Sequence, residues 1–169
     1  TFNGNLAGKS QIKDAVAAKR LEVKEAVATR RDEFKAKLQT IKDQRKKILV
    51  ERIDAKLSTI NARHTDRFTQ VLSNLQTLLD KISENLDKNE AQTAIDAAKL
   101  AVENQAAKTY TIQITDETAL RLNVGTTTSQ LRQNLMATHK LVIDAKQAVT
   151  LAKFIRPVFN SCTCQQQFF

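Results

Sequence analysis

Glycine and proline are nearly missing from this sequence, with three Gly and one Pro in 169 residues. They stand at Gly4, Gly8, Gly125 and Pro157, so the stretch Lys9 to Lys88 has neither. That excludes glycine-rich loops, tight hairpins and low-complexity linkers over nearly half the chain. Trp is absent, Tyr occurs once and aromatics make up 5%. A core must therefore be built from Leu, Ile, Val and Ala, and few rings are available to stack on bases. The two cysteines, Cys162 and Cys164, lie close together near the end. They define no disulfide framework, and two thiols alone make a weak metal site. No run of roughly 18 apolar residues occurs, so no membrane-spanning helix is expected. No secretory signal opens the given chain, which does not separate a cytoplasmic protein from a processed one.

What the sequence does have is positive charge and helix-forming residues. It carries 27 Lys plus Arg against 18 Asp plus Glu, net +9. The excess is uneven: +7 over residues 9–60, −2 over 61–124 and +4 over 125–169. Such a balance suits a solvated helix surface with i,i+4 ion pairs, and equally an anionic surface or polymer. Abundant Ala, Lys, Leu, Gln and Glu favour helix by intrinsic propensity.

Every eleventh residue from Val16 is aliphatic: Val27, Leu38, Leu49, Ile60, Val71 and Ile82 follow. An eleven-residue period is about 3.67 residues per turn, near the pitch of a straight α-helix. The pattern predicts an all-α protein, an elongated helical bundle built on a very long N-terminal helix. If unbroken, that helix would be roughly 120 Å long. Asn61 to Asp66 is the place where a kink or turn would fall, with Thr65 as a restart cap, but no Gly or Pro marks it and continuity is favoured. Within 9–48 the stripe is thin: Ile12, Val16, Val23, Val27, Phe34, Leu38 and Ile41, interrupted by Lys19, Arg30 and Arg45. This reads as a basic amphipathic arm whose apolar residues form a self-association seam. Lys19, Arg20, Arg30, Arg31, Lys42, Arg45, Lys46 and Lys47 are its candidate partner-binding residues. Over 49–156 the stripe widens, as a three-helix bundle requires.

Residues 1–8 read as a flexible leader. Gly4 to Ser10 approximates a phosphate-binding loop but is one residue short between its glycines and has no strand before it. Residues 85–91 should reverse the chain, and the Ala-rich 91–108 should form a close-packing helix. Residues 109–115 alternate apolar and polar through Tyr110, Ile112 and Ile114, which predicts a short extended connector. Thr115 to Thr118 should start a short helix that stops at Gly125, and Thr127 to Gln130 has capping-box spacing for the last one. Pro157 should end it, leaving 157–169 as a C-terminal tail.

No residue pattern points to catalysis. Asp32 with Glu33, and Asp116 with Glu117, are adjacent, so on a helix they diverge by about 100° and cannot face one substrate. His64 lies in the apolar stripe, where packing is the ordinary role and a pH-sensitive one is conceivable. His64 and His139 form no i,i+4 metal pair. The expectation is a non-enzymatic protein without cofactor or metal, partnered by protein, a second copy of itself included. A holdase chaperone and a nucleic-acid or anionic-surface binder are the alternatives, with interleaved acids and scarce aromatics arguing against nucleic acid.

The segments Lys19-Arg-Leu-Glu-Val-Lys, Leu38-Gln-Thr-Ile-Lys-Asp-Gln-Arg-Lys-Lys, Val50-Glu-Arg-Ile-Asp, Ala106-Ala-Lys-Thr-Tyr-Thr and Asp116-Glu-Thr-Ala-Leu with Val124-Gly resemble a group of uncharacterised, coiled-coil-like helical proteins of candidate-phyla bacteria. The resemblance covers about residues 10–153, and the tail with Cys162 and Cys164 departs from it. It implies export, hence an extracytoplasmic or secreted place, and supplies no activity, cofactor or site residue.

Overall fold

The computed structural model describes residues 7–82 and 88–154, with side chains described for 11–82 and 88–153. The expected leader over 1–6, part of the chain reversal, the stop at Pro157 and the tail with its two cysteines fall outside the described residues. Five helices make up the described chain: α1 (Ala7–Glu22), α2 (Lys24–Leu38), α3 (Gln44–Asp80), α4 (Asn89–Ala107) and α5 (Leu120–Phe154). The all-α expectation holds. The single long N-terminal helix does not, because the longest helix, of 37 residues, starts at Gln44.

The break falls at 39–43, where there is neither Gly nor Pro. The end of α2 tightens into i→i+3 bonds, Thr40 N to Lys37 O at 3.1 Å and Ile41 N to Leu38 O at 3.4 Å. Thr40 Oγ1 also donates to Lys37 O, at 2.7 Å. Ile41 is buried and anchors the turn. Asp43 then caps α3, its Oδ1 accepting from Arg45 N at 2.9 Å and Lys46 N at 3.3 Å. Side-chain capping and one buried anchor thus do what a breaker residue does elsewhere. Asn61 to Asp66 is uninterrupted helix, the continuity favoured where no Gly or Pro marks a break. A smaller interruption at Val23 separates α1 from α2.

The arm therefore folds back along α3. Arg20 meets Thr65 and Asp66, and Arg31 meets Ser58, so the first helices run antiparallel to α3. α1 packs on both α3 and α4; α5 packs on the same two helices. The section is a rhombus with α3 and α4 on the short diagonal and α1 and α5 at the outer corners. The expected three-helix bundle is α3, α4 and α5, and α1 is its fourth member.

The α4 core strip is Ala91, Ile95, Ala98, Val102 and Gln105, each 0–1% exposed. Small residues in that strip let three helices approach closely. The buried face of α3 is one position away from the eleven-residue apolar series. It runs through Val50, Leu57, Asn61, Thr65, Phe68, Leu72, Leu75 and Leu79. Its hydroxyl side chains are satisfied locally: Thr65, Thr69, Ser73 and Thr77 each donate to the carbonyl four residues back, at 2.8–3.0 Å. A hydroxyl bonded to its own helix can be buried at little cost.

α4 stops about half-way along α3, and the chain continues as an extended segment. Tyr110, Ile112 and Ile114 are buried in alternation with more exposed neighbours, as the sequence predicts. An extended residue advances about 3.3 Å against 1.5 Å in a helix, so a short connector can line the lower half of α3. Asn61 Nδ2 donates to Gln105 O at 3.2 Å and Lys108 O at 3.1 Å, capping α4 from α3. Gln105 Nε2 donates to Asn61 Oδ1 and to Tyr110 Oη, while Gln105 Oε1 is buried without a partner. Asp54, 3% exposed, accepts from Ile112 N at 2.9 Å. At the lower end, Glu117 accepts from Lys42 N at 3.0 Å and Asp43 N at 3.3 Å, tying the connector to the α2–α3 turn. These bonds hold the Glu117 carboxyl below its usual range, the Lys42 amide contributing most.

α5 starts after Asp116, whose Oδ1 accepts from Thr118 N and Ala119 N. It runs through Gly125 and Thr127 without the expected stop and restart. Nothing lies within 4 Å of a Cβ placed on Gly125. Gly125→Ala is therefore expected to stabilise the protein by about 0.5–1 kcal/mol, through helix propensity alone, read from denaturant midpoints.

Burial pushes the Asp54 carboxyl above its ordinary range, opposed by the Ile112 N–H and the charge of Arg31. A carboxyl raised in this way binds its proton more tightly in the folded state. Its contribution to stability therefore grows as pH falls through the raised value and is a cost above it. Asp54→Asn keeps an acceptor for Ile112 and is expected to match or exceed the parent's stability at pH 7, with a flatter profile in weak acid. Asp54→Ala orphans the amide and should cost about 1–3 kcal/mol.

Candidate functional site

The basic residues of the arm serve chiefly as clamps within the chain. Lys19 pairs with Glu22 at 2.8 Å. Arg20 donates to Thr65 Oγ1 at 2.7 Å and Asp66 Oδ1 at 2.9 Å. Arg30 bonds Thr109, Arg31 bonds Ser58 at 3.2 Å, and Lys47 bonds Gln39. Lys46 pairs with Glu117 at 3.3 Å. Lys42 and Arg45 are exposed on the α2–α3 turn. The eight are thus not brought together as one binding surface. The proposed seam is occupied as well: Ile12, Val16, Phe34, Leu38 and Ile41 are 3–7% exposed within the chain's own core. Val23 and Val27 are half-buried. α3 and α4 cover the apolar face of α1.

Under the Val23 bend lies a cleft of about 250 Å³, with Arg20, Lys24, Arg31 and Lys108 beside Ser58, Thr65, Thr109 and Thr111. Its charge invites an anion, but Arg20 and Arg31 are engaged and the carbonyl end of α4 opens beside it. A shallower depression near Gly125 is lined from residues 118–133 alone, so no groups converge there. The residues resembling a phosphate-binding loop, Gly8 to Ser10, are part of α1.

The larger feature is a groove between α3 and α5, of about 810 Å³. Leu57, Phe68, Leu131, Leu135 and Val142, 3–9% exposed, form its floor. The Phe68 ring stacks on His139, centroids 5.6 Å apart at 16°, and meets His64 at 5.9 Å in a tilted contact. Ile60 at 39%, Met136 at 62% and Ile143 at 39% exposure stand open to solvent along it. Arg67, Arg132 and Lys146 border it, and no carboxylate is among its lining residues.

Sequence reasoning missed this groove although its signal was present. The eleven-residue series supplies Ile60 and Val71, which face the groove and not the centre of the core. On α5, the adjacent apolar pairs Leu135–Met136 and Val142–Ile143 mark two faces, one buried and one open. His64, expected to be packed, is exposed against Phe68.

Among the described residues, no group of three or more His, Cys, Asp or Glu gathers where it could hold a metal ion. Nor, among the described residues, is any helix long and apolar enough to cross a membrane. Comparison with family models, curated proteins and solved structures finds no match to this chain.

Replacing Met136 and Ile143 with Ser removes apolar surface that the fold does not bury fully. Each single change is expected to shift stability by about 0.5 kcal/mol or less. Both together should reduce the enhancement of an environment-sensitive apolar dye, while the same changes at Leu100 and Leu151 should leave it intact.

Proposed function

We propose that this chain is a non-enzymatic helical interaction protein that offers the preformed α3–α5 groove to a protein partner. The observation that carries this reading is the groove itself: an apolar floor left open between two packed helices, with exposed Met136 at its lip. Contiguous exposed apolar surface with a polar border is the ordinary mark of a protein contact. The arm, whose apolar face is buried, is no longer the element to which binding is assigned. The resemblance to exported helical proteins supports a place in the cell envelope or outside the cell.

A holdase chaperone is the second reading, favoured by the same exposed Met136, because a flexible thioether side chain accommodates varied clients. A photocrosslinking amino acid at Met136, compared with one at Leu100, separates the readings in producing cells. A discrete adduct from position 136 alone is expected. A broad smear would favour the holdase, and no adduct from position 136 would overturn the groove as the functional surface.

A further inference from the structure

α1 shows how this bundle takes up a helix: it lies in the groove between α3 and α4, with Ile12 and Val16 as its apolar contacts. The groove between α3 and α5 has no such occupant among the described residues, yet its floor is of the same kind. From Leu57 to Val71 it follows about four helical turns, or about 21 Å. We propose that its occupant is an amphipathic α-helix of a different protein, with carboxylates along both borders of its apolar face. This deepens the groove reading above and rests on it.

Shape points to a helix. The groove is open along one side, where Ile60, Met136 and Ile143 are exposed. An acyl chain laid there would keep much of its surface in water. A helix brings its own polar back and buries only the stripe that meets Phe68, the helix-in-groove mode of recognition. Charge gives the sign of the borders. Arg67 stands on the α3 side, and Arg132 and Lys146 on the α5 side, with no carboxylate opposing them in the lining. Such complementarity sets which partner is chosen and how fast it arrives. It also argues against a second copy: a two-fold contact through this groove would set the three cations against themselves, in a chain already at +9.

The test uses the full chain and two fluorescent synthetic helices of about five turns, each with one Leu face, bordered by Glu in one and by Lys in the other. Anisotropy should show the Glu-bordered helix binding at least about tenfold more tightly, a difference of about 1.4 kcal/mol. Added salt should narrow that gap. Arg132→Glu with Lys146→Glu, both at exposed positions, should reverse the preference, with an unchanged melting profile showing an intact fold. Equal affinity for the two helices would overturn the charge assignment. Binding of neither, while the crosslink from Met136 persists, would overturn the helix and leave the groove reading standing. Saturation of the groove by myristate in place of either helix would assign it to lipid. A concentration-dependent dimer that excludes the Glu-bordered helix would assign it to a second copy. Tight binding only after removal of residues 155–169 would assign it to the chain's own tail.

Discussion

Asn61 makes the two hydrogen bonds on which the architecture turns. α4 ends half-way along α3, inside the protein, where unpaired carbonyls are costly. The Asn61 amide reaches across from α3 and satisfies two of those carbonyls, at Gln105 and Lys108. Gln105 then ties Asn61 to Tyr110, the first buried residue of the extended connector. Because α4 can stop there, the lower half of α3 is covered by a segment one backbone wide. That segment delivers Ile112 to Asp54 and Glu117 to the α2–α3 turn. The turn in turn aims α2 and α1 back along α3, which is why no arm projects.

How much of this was legible in the sequence depends on which kind of signal each element carried. The Ala-rich helix, the alternating connector and the all-helical class rest on period and propensity, and the structure follows them. The break at 39–43 rests on Asp43 as a cap and Ile41 as an anchor, and neither residue is distinctive by type. Its absence of Gly and Pro made continuity the simpler expectation. On α3 the eleven-residue apolar series does not mark the centre of the core, for a different reason. An apolar series marks every face that avoids water, and on α3 one such face meets the open groove while the core face is rich in hydroxyls. Apolarity alone cannot show that Thr65, Thr69 and Ser73 lie inside, since what permits it is bonding to their own helix. The groove demanded one more fact, the pairing of α3 with α5, which no local pattern contains.

The basic composition changes meaning once the arm is folded. Charges that looked available on an extended helix are drawn into contacts with Thr65, Asp66, Ser58, Thr109 and Glu117. Exposed pairs of this kind add little stability singly. Their value lies in orienting α1 and α2 against neighbours whose apolar contacts are sparse. Beside the groove, Arg67, Arg132 and Lys146 set a positive field around apolar surface.

The hydroxyl ladder of α3 has a mechanical consequence for α1. Its rungs recur every four residues and bond within α3, and one of them, Thr65, also accepts across the interface from Arg20. On α1, Ile12, Val16 and Arg20 recur at the same interval. A slide of one turn would carry Val16 into the place of Ile12 and Arg20 into the buried place of Val16, setting a charged side chain in the core. It would also take Arg20 away from Thr65 and Asp66, about 5.4 Å along the axis. Arg20 thereby marks the register of the helix pair: of the alignments one turn apart, this one keeps both aliphatic side chains buried and the cation on its partners.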